Sequence, residues 1–468
     1  MRRTRRDFLG KTIRGAASVS LGGSLLSAGG CFRSEPPDGR IHLRYWDKWD
    51  GFEGDAMRAV VKDFNDSQGG ITVHYTPVGV IDRKLLAATS GGDPPDVAGL
   101  WEHNVTPFAE QGALTPLDEL MSRDGIGRDH WIAAYVKICT HKGIMWAVPT
   151  TPFASGLHYN AALFEASADQ LRARGLDPGR GPATLAELDA YAEALTKYDA
   201  SGNLVQLGFL PQEPGRFIWA WGFWFGGKLI GEDDTITADD PLNVAAYEWI
   251  QSYSRKYGVD RIKRFSSGFG NLASPQNPFF SGKVAMVLDG AWMHNYIQQY
   301  APGMRYGVVP WPKTPHGPER FSTVGCDIMV IPRGVPAERR EAAWQFVKYV
   351  ISQPAMEKLN LGHRKATPLT KVSDDFLKKH PHRYLDLFIS LSKSKGVVSP
   401  LHVGIWSQYQ TELFAAFERV RLLQSNPATG KPYTAREALD IVQERMTRAY
   451  ARYKRSLSLR PPISGRLS

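Results

Sequence analysis

Trp46 is followed directly by Asp47, Trp101 by Glu102, and Asp289 precedes Trp292 by three residues. An indole offers a flat apolar platform, and an ionised carboxylate beside it can accept charge-assisted hydrogen bonds from two neighbouring hydroxyls. The pairing suits a solute with an apolar face and a hydroxyl edge, held in a concave cleft by a few fixed polar groups. Trp219, Trp221 and Trp224 cluster before Gly226-Gly227, Trp311 stands between Pro310 and Pro312, and Arg364 in the run GHRKATPLT adds a donor. Each residue also has a structural reading. Successive aromatics on one helix cannot all face a cleft, so most of the 219–225 cluster is expected in the core. Glu102, Asp289 and Arg364 serve equally well as surface ion pairs, and Asp96, between Pro95 and Val97, reads as a turn cap.

The elements that would hold these side chains follow from periodicity. Ile41, Leu43 and Tyr45 alternate as a half-buried strand ending at Trp46-Asp47; Met57, Val60, Val61 and Phe64 then fall at helical spacing before Gly69-Gly70. Ile71, Val73 and Tyr75 alternate again, Leu85-Leu86 sit in a short helix closed by Gly91-Gly92, and Val97 to Leu100 form a third strand ending at Trp101-Glu102. This βαβαβ opening predicts a parallel sheet with ligands at the carboxyl ends of its strands. Further on, Thr184 and Glu187 form a capping box, Asp240-Pro241 opens a helix ending near Gly258, and Pro336 opens one that buries Trp344, Val347 and Ile351. Helical patterns over 408–424 and 434–454 finish the chain. Between Gly258 and Pro336, a short helix ending at Gly282, a buried strand Val284 to Leu288 and a turn at Gly290 are expected to position Trp292.

The first residues carry addresses rather than fold. Thr4-Arg5-Arg6-Asp7-Phe8-Leu9 resembles a twin-arginine export signal, and Ala28-Gly29-Gly30-Cys31 resembles a lipobox in which Cys31 is acylated and cleavage falls before it. Residues 12–30 include Arg14 and several glycines, too few apolar residues for a membrane span. Residues 1–31 hold six of the 57 basic and one of the 47 acidic residues, so their removal lowers the net charge from +10 to +5. That mild excess excludes a nucleic-acid partner as the basis of function. Cys139 and Cys326 remain, expected as buried unpaired thiols. No metal, haem or nucleotide motif appears, so no metal or cofactor is expected. Residues 32–40 read as a flexible tether.

Four segments in order, GGDPPDVAGLW at 91–101, VPTTPFASGLHYN at 148–160, FFSGKVAMVLDGAWM at 279–293 and YGVVPWP with a later Ser-Thr-Val-Gly at 306–325, resemble bacterial extracellular solute-binding proteins of family 1. The resemblance spans about residues 41–370. It implies an α/β, two-lobe periplasmic-binding-protein-like fold of type II, with discontinuous lobes, a hinge and an interlobe cleft. The layout it implies is lobe 1 from 41–149 plus 308–335 and lobe 2 from 150–307 plus 336–468, crossing at Val148-Pro149 and Val309-Pro310. It further implies a monomeric, non-enzymatic receptor, periplasmic or at the cell surface, that hands a sugar or oligosaccharide to the transmembrane subunits of an ABC permease. Trp46, Asp47, Trp101, Glu102, Trp221, Trp224, Asp289, Trp292, Trp311 and Arg364 are the expected ligand residues. Where the family often has a second glycine after Gly325, this chain has Cys326, which questions a close backbone approach to solute there. Alternatives are a receptor for glycerol phosphate or polyamine, a secreted carbohydrate hydrolase using Asp47 and Glu102 as acid and nucleophile about 5 Å apart, and a twin-arginine redox enzyme, against which the missing cofactor motifs argue.

Overall fold

Side-chain alternation decides the first layer. In the computed structural model, which describes residues 38–459, β1 (Ile41–Asp47) buries Leu43, Tyr45 and Asp47 on one face. β1 pairs in parallel with β2 (Ile71–Pro77) from Ile41↔Ile71 to Asp47↔Pro77, and with β3 (Val97–Trp101) at Tyr45↔Val97. The helix Gly51–Ser67 between them buries Met57, Val60, Val61 and Phe64, one stripe at helical period, and Ile81–Ser90 buries Ile81 and Leu85. The predicted βαβαβ unit is therefore present. Arg5, Arg6 and Cys31, which carry the export and lipidation expectations, lie outside the described residues.

A hairpin of β4 (Thr140–His141) and β5 (Ile144–Met145) precedes β6 (Val148–Asn160), the longest strand. Its first half pairs antiparallel with β11 (Ser322–Val330), up to Ala154↔Val324. From Ser155 its second half pairs instead with β9 (Val284–Gly290) and β10 (Tyr306–Val309). With β7 (Lys197–Tyr198), β8 (Leu204–Phe209) and β12 (Val397–Val398), the order is β2-β1-β3-β11-β6-β9-β8-β7, with β10 on β6 and β12 on β11. This is the two-lobe α/β fold, its half-sheets joined through β6.

The crossing is a knot of buried hydroxyls. Ser155 Oγ lies 2.6 Å from Thr323 Oγ1 and accepts from Thr323 N at 3.0 Å, while Ser322 Oγ donates to Ser155 O at 2.9 Å. Trp311 Nε1 donates to Ser155 Oγ at 2.8 Å. β6 and β11 thus exchange polar side chains where ordinary sheet pairing changes partner, so the buried groups stay satisfied.

Two expectations differ from the structure. Helices Ala337–Val350 and Gln353–His363, assigned to lobe 2, lie on the first half-sheet: Phe346 packs 5.6 Å from Tyr45 and 5.2 Å from Phe64, and Asn360 Nδ2 donates to Thr150 O at 3.0 Å. Residues 279–282 form turns rather than a helix. Gly290 ends β9 directly before a turn at 291–292, as expected; a Cβ there would stand 2.4 Å from the Trp292 ring, so glycine provides the clearance that lets the indole fold back. The helices Trp406–Arg421 and Ala435–Ser458 pack on Pro241–Tyr257, where Tyr247 OH donates to Leu413 O at 3.2 Å. Cys139 and Cys326 are free and buried.

Candidate functional site

At the carboxyl end of β1 a lysine is drawn into a nest of carboxylates. Lys48 Nζ lies 3.2 Å from Asp327 Oδ1 and 3.6 Å from Asp47 Oδ1, with its side chain 5% exposed. Burial works against its charge, but the Asp327 and Asp47 carboxylates outweigh it and hold its pKa above the usual lysine range. Asp47 also accepts from the Tyr45 hydroxyl at 2.5 Å and from Lys48 N at 2.7 Å. Two indoles flank the ammonium: its Nζ is 4.8 Å from the Trp101 ring and 5.3 Å from the Trp49 ring. Trp49 Nε1 donates to Asp327 Oδ2 at 3.0 Å, and the two rings meet edge to face at 4.9 Å. A second buried ion pair, Lys365 to Glu53 at 2.7 Å, places Lys365 Nζ 5.5 Å from the same Trp49 ring.

Glu102 opens the 3-10 turn after β3 and is half-buried. Its pKa is pushed up to about 7, first by desolvation, partly offset by its own backbone N–H; Asp327 raises it further and Lys48 opposes. Gly325 on β11 is the meeting point of the two half-sites. A Cβ there would stand 2.4 Å from the Phe153 ring and 2.9 Å from Glu102 Oε1. Glycine at 325 therefore admits both side chains, while Cys326 is buried on the far side of the strand. Phe153 stacks edge to face on Trp292 at 5.1 Å, and Phe217 lies 6.4 Å from the same indole. Arg216 lies 5.8 Å over the Trp292 ring, its Nε 3.3 Å from Asp289 Oδ1. Burial raises the Asp289 pKa and Arg216 counters it; the carboxylate is 1% exposed and also accepts from Gly290 N at 2.8 Å.

The predicted residues fall into three groups. Trp101, Glu102, Asp289 and Trp292 stand in this cluster, with Asp289 acting through Arg216. Asp47 is buried and occupied by Tyr45 and Lys48, so it anchors Lys48 rather than facing a solute. A hydrolase using Asp47 as acid and Glu102 as nucleophile would find Asp47 already held by Tyr45 and Lys48. Trp46 sits on the face of β1 opposite Tyr45 and Asp47, by strand alternation. Trp224 is 1% exposed, boxed by Trp221, Trp249, Phe225 and Trp311, and donates to Pro312 O at 2.7 Å. Trp224 and Trp311 are thus core and crossing residues, removed from the site because every ring face is covered. Trp221 is also buried, but its indole N–H has no hydrogen-bond partner among the described residues, which keeps it a candidate. Arg364 lies apart, exposed at the end of helix Gln353–His363. Lys48, Trp49, Phe153, Arg216 and Asp327 were not singled out from sequence. Only proximity to the first strand end signalled Lys48 and Trp49; nothing local marked the others. Among the described residues no group of three or more His, Cys, Asp or Glu could hold a metal ion.

Two half-sheets that share a crossing strand, with aromatic groups that meet at Gly325, have the architecture of a two-lobe solute receptor. The profile of the bacterial extracellular solute-binding proteins matches residues 52–357, and the chain belongs to that family. A binding protein of Brucella abortus is 24% identical over 304 residues, 64% of this chain and 69% of that one. The maltotriose-binding protein of Pyrococcus abyssi is 23% identical over 289 residues, 60% of this chain and 57% of that one. Among solved structures, CpMnBP1 with mannobiose bound superposes with a TM-score of 0.73 at 25% identity, covering 86% of this chain and 99% of that one.

Proposed function

We propose that this protein captures a neutral sugar or oligosaccharide outside the cytoplasm and delivers it to an ABC permease. The observation that carries the reading is the meeting at Gly325 of two aromatic groups, Trp49 and Trp101 with Glu102 at the strand ends and Phe153 packed on Trp292 from the second half-sheet, around a few fixed charges. Indole and phenyl faces accept the CH faces of a pyranose, while Glu102 and Arg216 meet hydroxyls and the buried Lys48 is a fixed charge behind them. A solute touching both sets at once stabilises the closed arrangement over the open one, and that differential contact is what drives closure. Relatives that bind maltotriose and mannobiose support the substrate class. In the aromatic cluster Lys48 and Arg216 are each already matched by carboxylates, which favours a neutral ligand over a phosphate ester.

The lobes we infer are 41–154 and 322–363 against 155–321 and the remainder, hinged near Ser155. Arg5-Arg6 and Cys31 give the export route and the lipid tether in this reading, and the receptor works as a monomer. Tryptophan fluorescence titrated with mannobiose, maltotriose and related sugars tests it. Roughly micromolar affinity, about −8 kcal/mol, is expected, and Trp292→Ala should weaken it at least about tenfold with little change in melting temperature. Folded protein that responds to no carbohydrate overturns the substrate class, and equal losses of binding and stability in Trp292→Ala make that ring a core residue.

A further inference from the structure

After helix Gln353–His363 the chain passes from one lobe to the other once more, and two histidines pin that passage. Residues 365–370 still touch the first lobe: Ile132 N donates to Pro368 O at 2.9 Å, and Lys365 pairs with Glu53 while its Nζ lies 5.5 Å from the Trp49 ring. By Tyr384 the chain lies on the second, where Tyr384 OH donates to Tyr306 O at 2.9 Å. Between these points His380 Nδ1 accepts from His382 N at 3.2 Å, and His382 Nδ1 accepts from Tyr384 N at 3.1 Å. In a neutral imidazole the other nitrogen then carries the proton. Each Nε2 faces a carbonyl: His380 Nε2 donates to Lys365 O at 3.0 Å, and His382 Nε2 donates to Ala291 O at 3.0 Å. Ala291 directly precedes Trp292. The pair thus ties the backbone of Lys365, beside Trp49, to the backbone that carries Trp292.

We propose that His380 and His382 are positioning residues for the sugar site, holding Lys365 O and Ala291 O together only while both rings are neutral, so that acid loosens the site. The inference rests on the sugar reading above for its ligand and adds a pH dependence to it. The bonding pattern leaves no place for a second proton. A proton added at either Nδ1 meets a backbone N–H already pointing at that nitrogen, which turns a hydrogen bond into a repulsion. The groups that face the pair are basic or apolar. Helix Met293–Tyr300 brings His294, its ring 4.7 Å from His382 and its Nδ1 3.1 Å from Tyr306 OH; β6 brings His158, and helix Leu385–Ser392 brings Phe388 at 5.3 Å. Arg364 and Arg383 add positive charge beside His294. Phe376 packs 5.1 Å from His380, and Lys379 next to it is matched by Asp375 at 2.8 Å. Burial accordingly lowers the pKa of His382 to about 3 and of His294 to about 4, and holds His380 below its usual range. The closed pair therefore binds fewer protons than an opened one, and its hold weakens as pH falls below about 6.5. For His382 alone, titrating at about 3 when closed and 6.5 when open, opening gains roughly fiftyfold between pH 6.5 and 4.5.

Fluorescence titration with mannobiose and maltotriose at pH 7 and 4.5 tests the pair against variants that separate its bonds. His380→Gln/His382→Gln supplies an amide donor in place of each Nε2 and cannot take up a proton in this range. Whatever its affinity at pH 7, the ratio of wild-type to variant Kd should rise at least about tenfold on acidification. Protonation of Glu102 is common to both proteins and cancels in that ratio. His382→Asn keeps an acceptor for Tyr384 N but is too short to reach Ala291 O, so at pH 7 it should bind sugar at least about threefold more weakly than His382→Gln. A ratio that stays constant with pH, or Asn and Gln variants that bind alike, overturns the proposal while the cluster still binds sugar. Hydrogen exchange of ligand-free protein, corrected for intrinsic rates, reads the pair without any sugar. Acid should deprotect the peptides holding Ala291–Trp292 and Lys365 in wild type and spare them in the double Gln variant. Equal deprotection in both overturns the proposal; silence of folded wild type toward every sugar overturns the sugar reading and leaves exchange to decide the pair.

Discussion

Glu102 shows how a single side chain records its surroundings. A carboxyl near 4.5 in the unfolded chain rises to about 7 in the folded one, so between those values the folded state holds a proton the unfolded state has released. Stability then falls as pH rises through that window, and the full cost, up to about 3 kcal/mol, is present above pH 7. Glu102→Gln should therefore raise the melting temperature of ligand-free protein at pH 8 and leave it unchanged at pH 4. A thermal denaturation series across that range checks the sign, and equal shifts at both pH values would show that desolvation of the carboxylate is not the cause. The neighbouring residues show what was legible at this scale. Strand alternation located the end of β1 correctly, yet the same alternation turns Trp46 away and buries Asp47. The ring and the charge that reach the cluster are Trp49 and Lys48, in the segment beyond the strand where periodicity no longer says which way a side chain points. Arg216 was hidden for a different reason: its position depends on Asp289, more than seventy residues away in sequence, and no local pattern encodes that pairing.

Elements were readable wherever one face is apolar and the other is not. The opening βαβαβ unit, the helix Pro241–Tyr257 with its Asp240 cap, and the capping box at Thr184, half of it realised as Glu187 N donating to Thr184 Oγ1 at 3.1 Å, follow from such patterns. Periodicity did not mark β6 as a crossing, because eleven of its thirteen residues are buried and a strand covered on both faces shows no period; only the family resemblance put a crossing at its start, Val148-Pro149. Its change of partner at Ser155 depends on hydroxyls rather than hydrophobicity. Ser155→Ala removes the acceptor of Trp311 Nε1 and Thr323 N and the partner of Thr323 Oγ1. With those buried donors unpaired, the change should cost roughly 2–4 kcal/mol, measurable by denaturant unfolding. Ser155→Thr retains the hydroxyl and should recover part of that loss. A Ser155→Ala protein as stable as wild type would mean that water or a rearranged Ser322 replaces the lost bonds.

At the scale of the molecule, sequence order misled in one respect. The stripe of Trp344, Val347 and Ile351 announces a buried face, but not which half-sheet covers it, and in the lobes we infer residues 337–363 return to the first after the chain has visited the second. The N-terminal segment, which lies outside the described residues, raises the opposite question, since in our reading it contributes charge and address. Among the described residues no helix is long and apolar enough to cross a membrane. Membrane association in our reading therefore depends on acyl chains at Cys31, where each buried CH₂ contributes about 0.8 kcal/mol. Cys31→Ala should shift the exported protein from the membrane fraction to the soluble fraction. Its affinity for sugar should stay the same, because every residue of the aromatic cluster lies beyond Ile41. Fractionation with a parallel fluorescence titration separates the two effects. Continued membrane association of the variant would refute the lipid anchor, and a loss of sugar affinity together with release would show that the N-terminal segment contributes to the site as well as to its location.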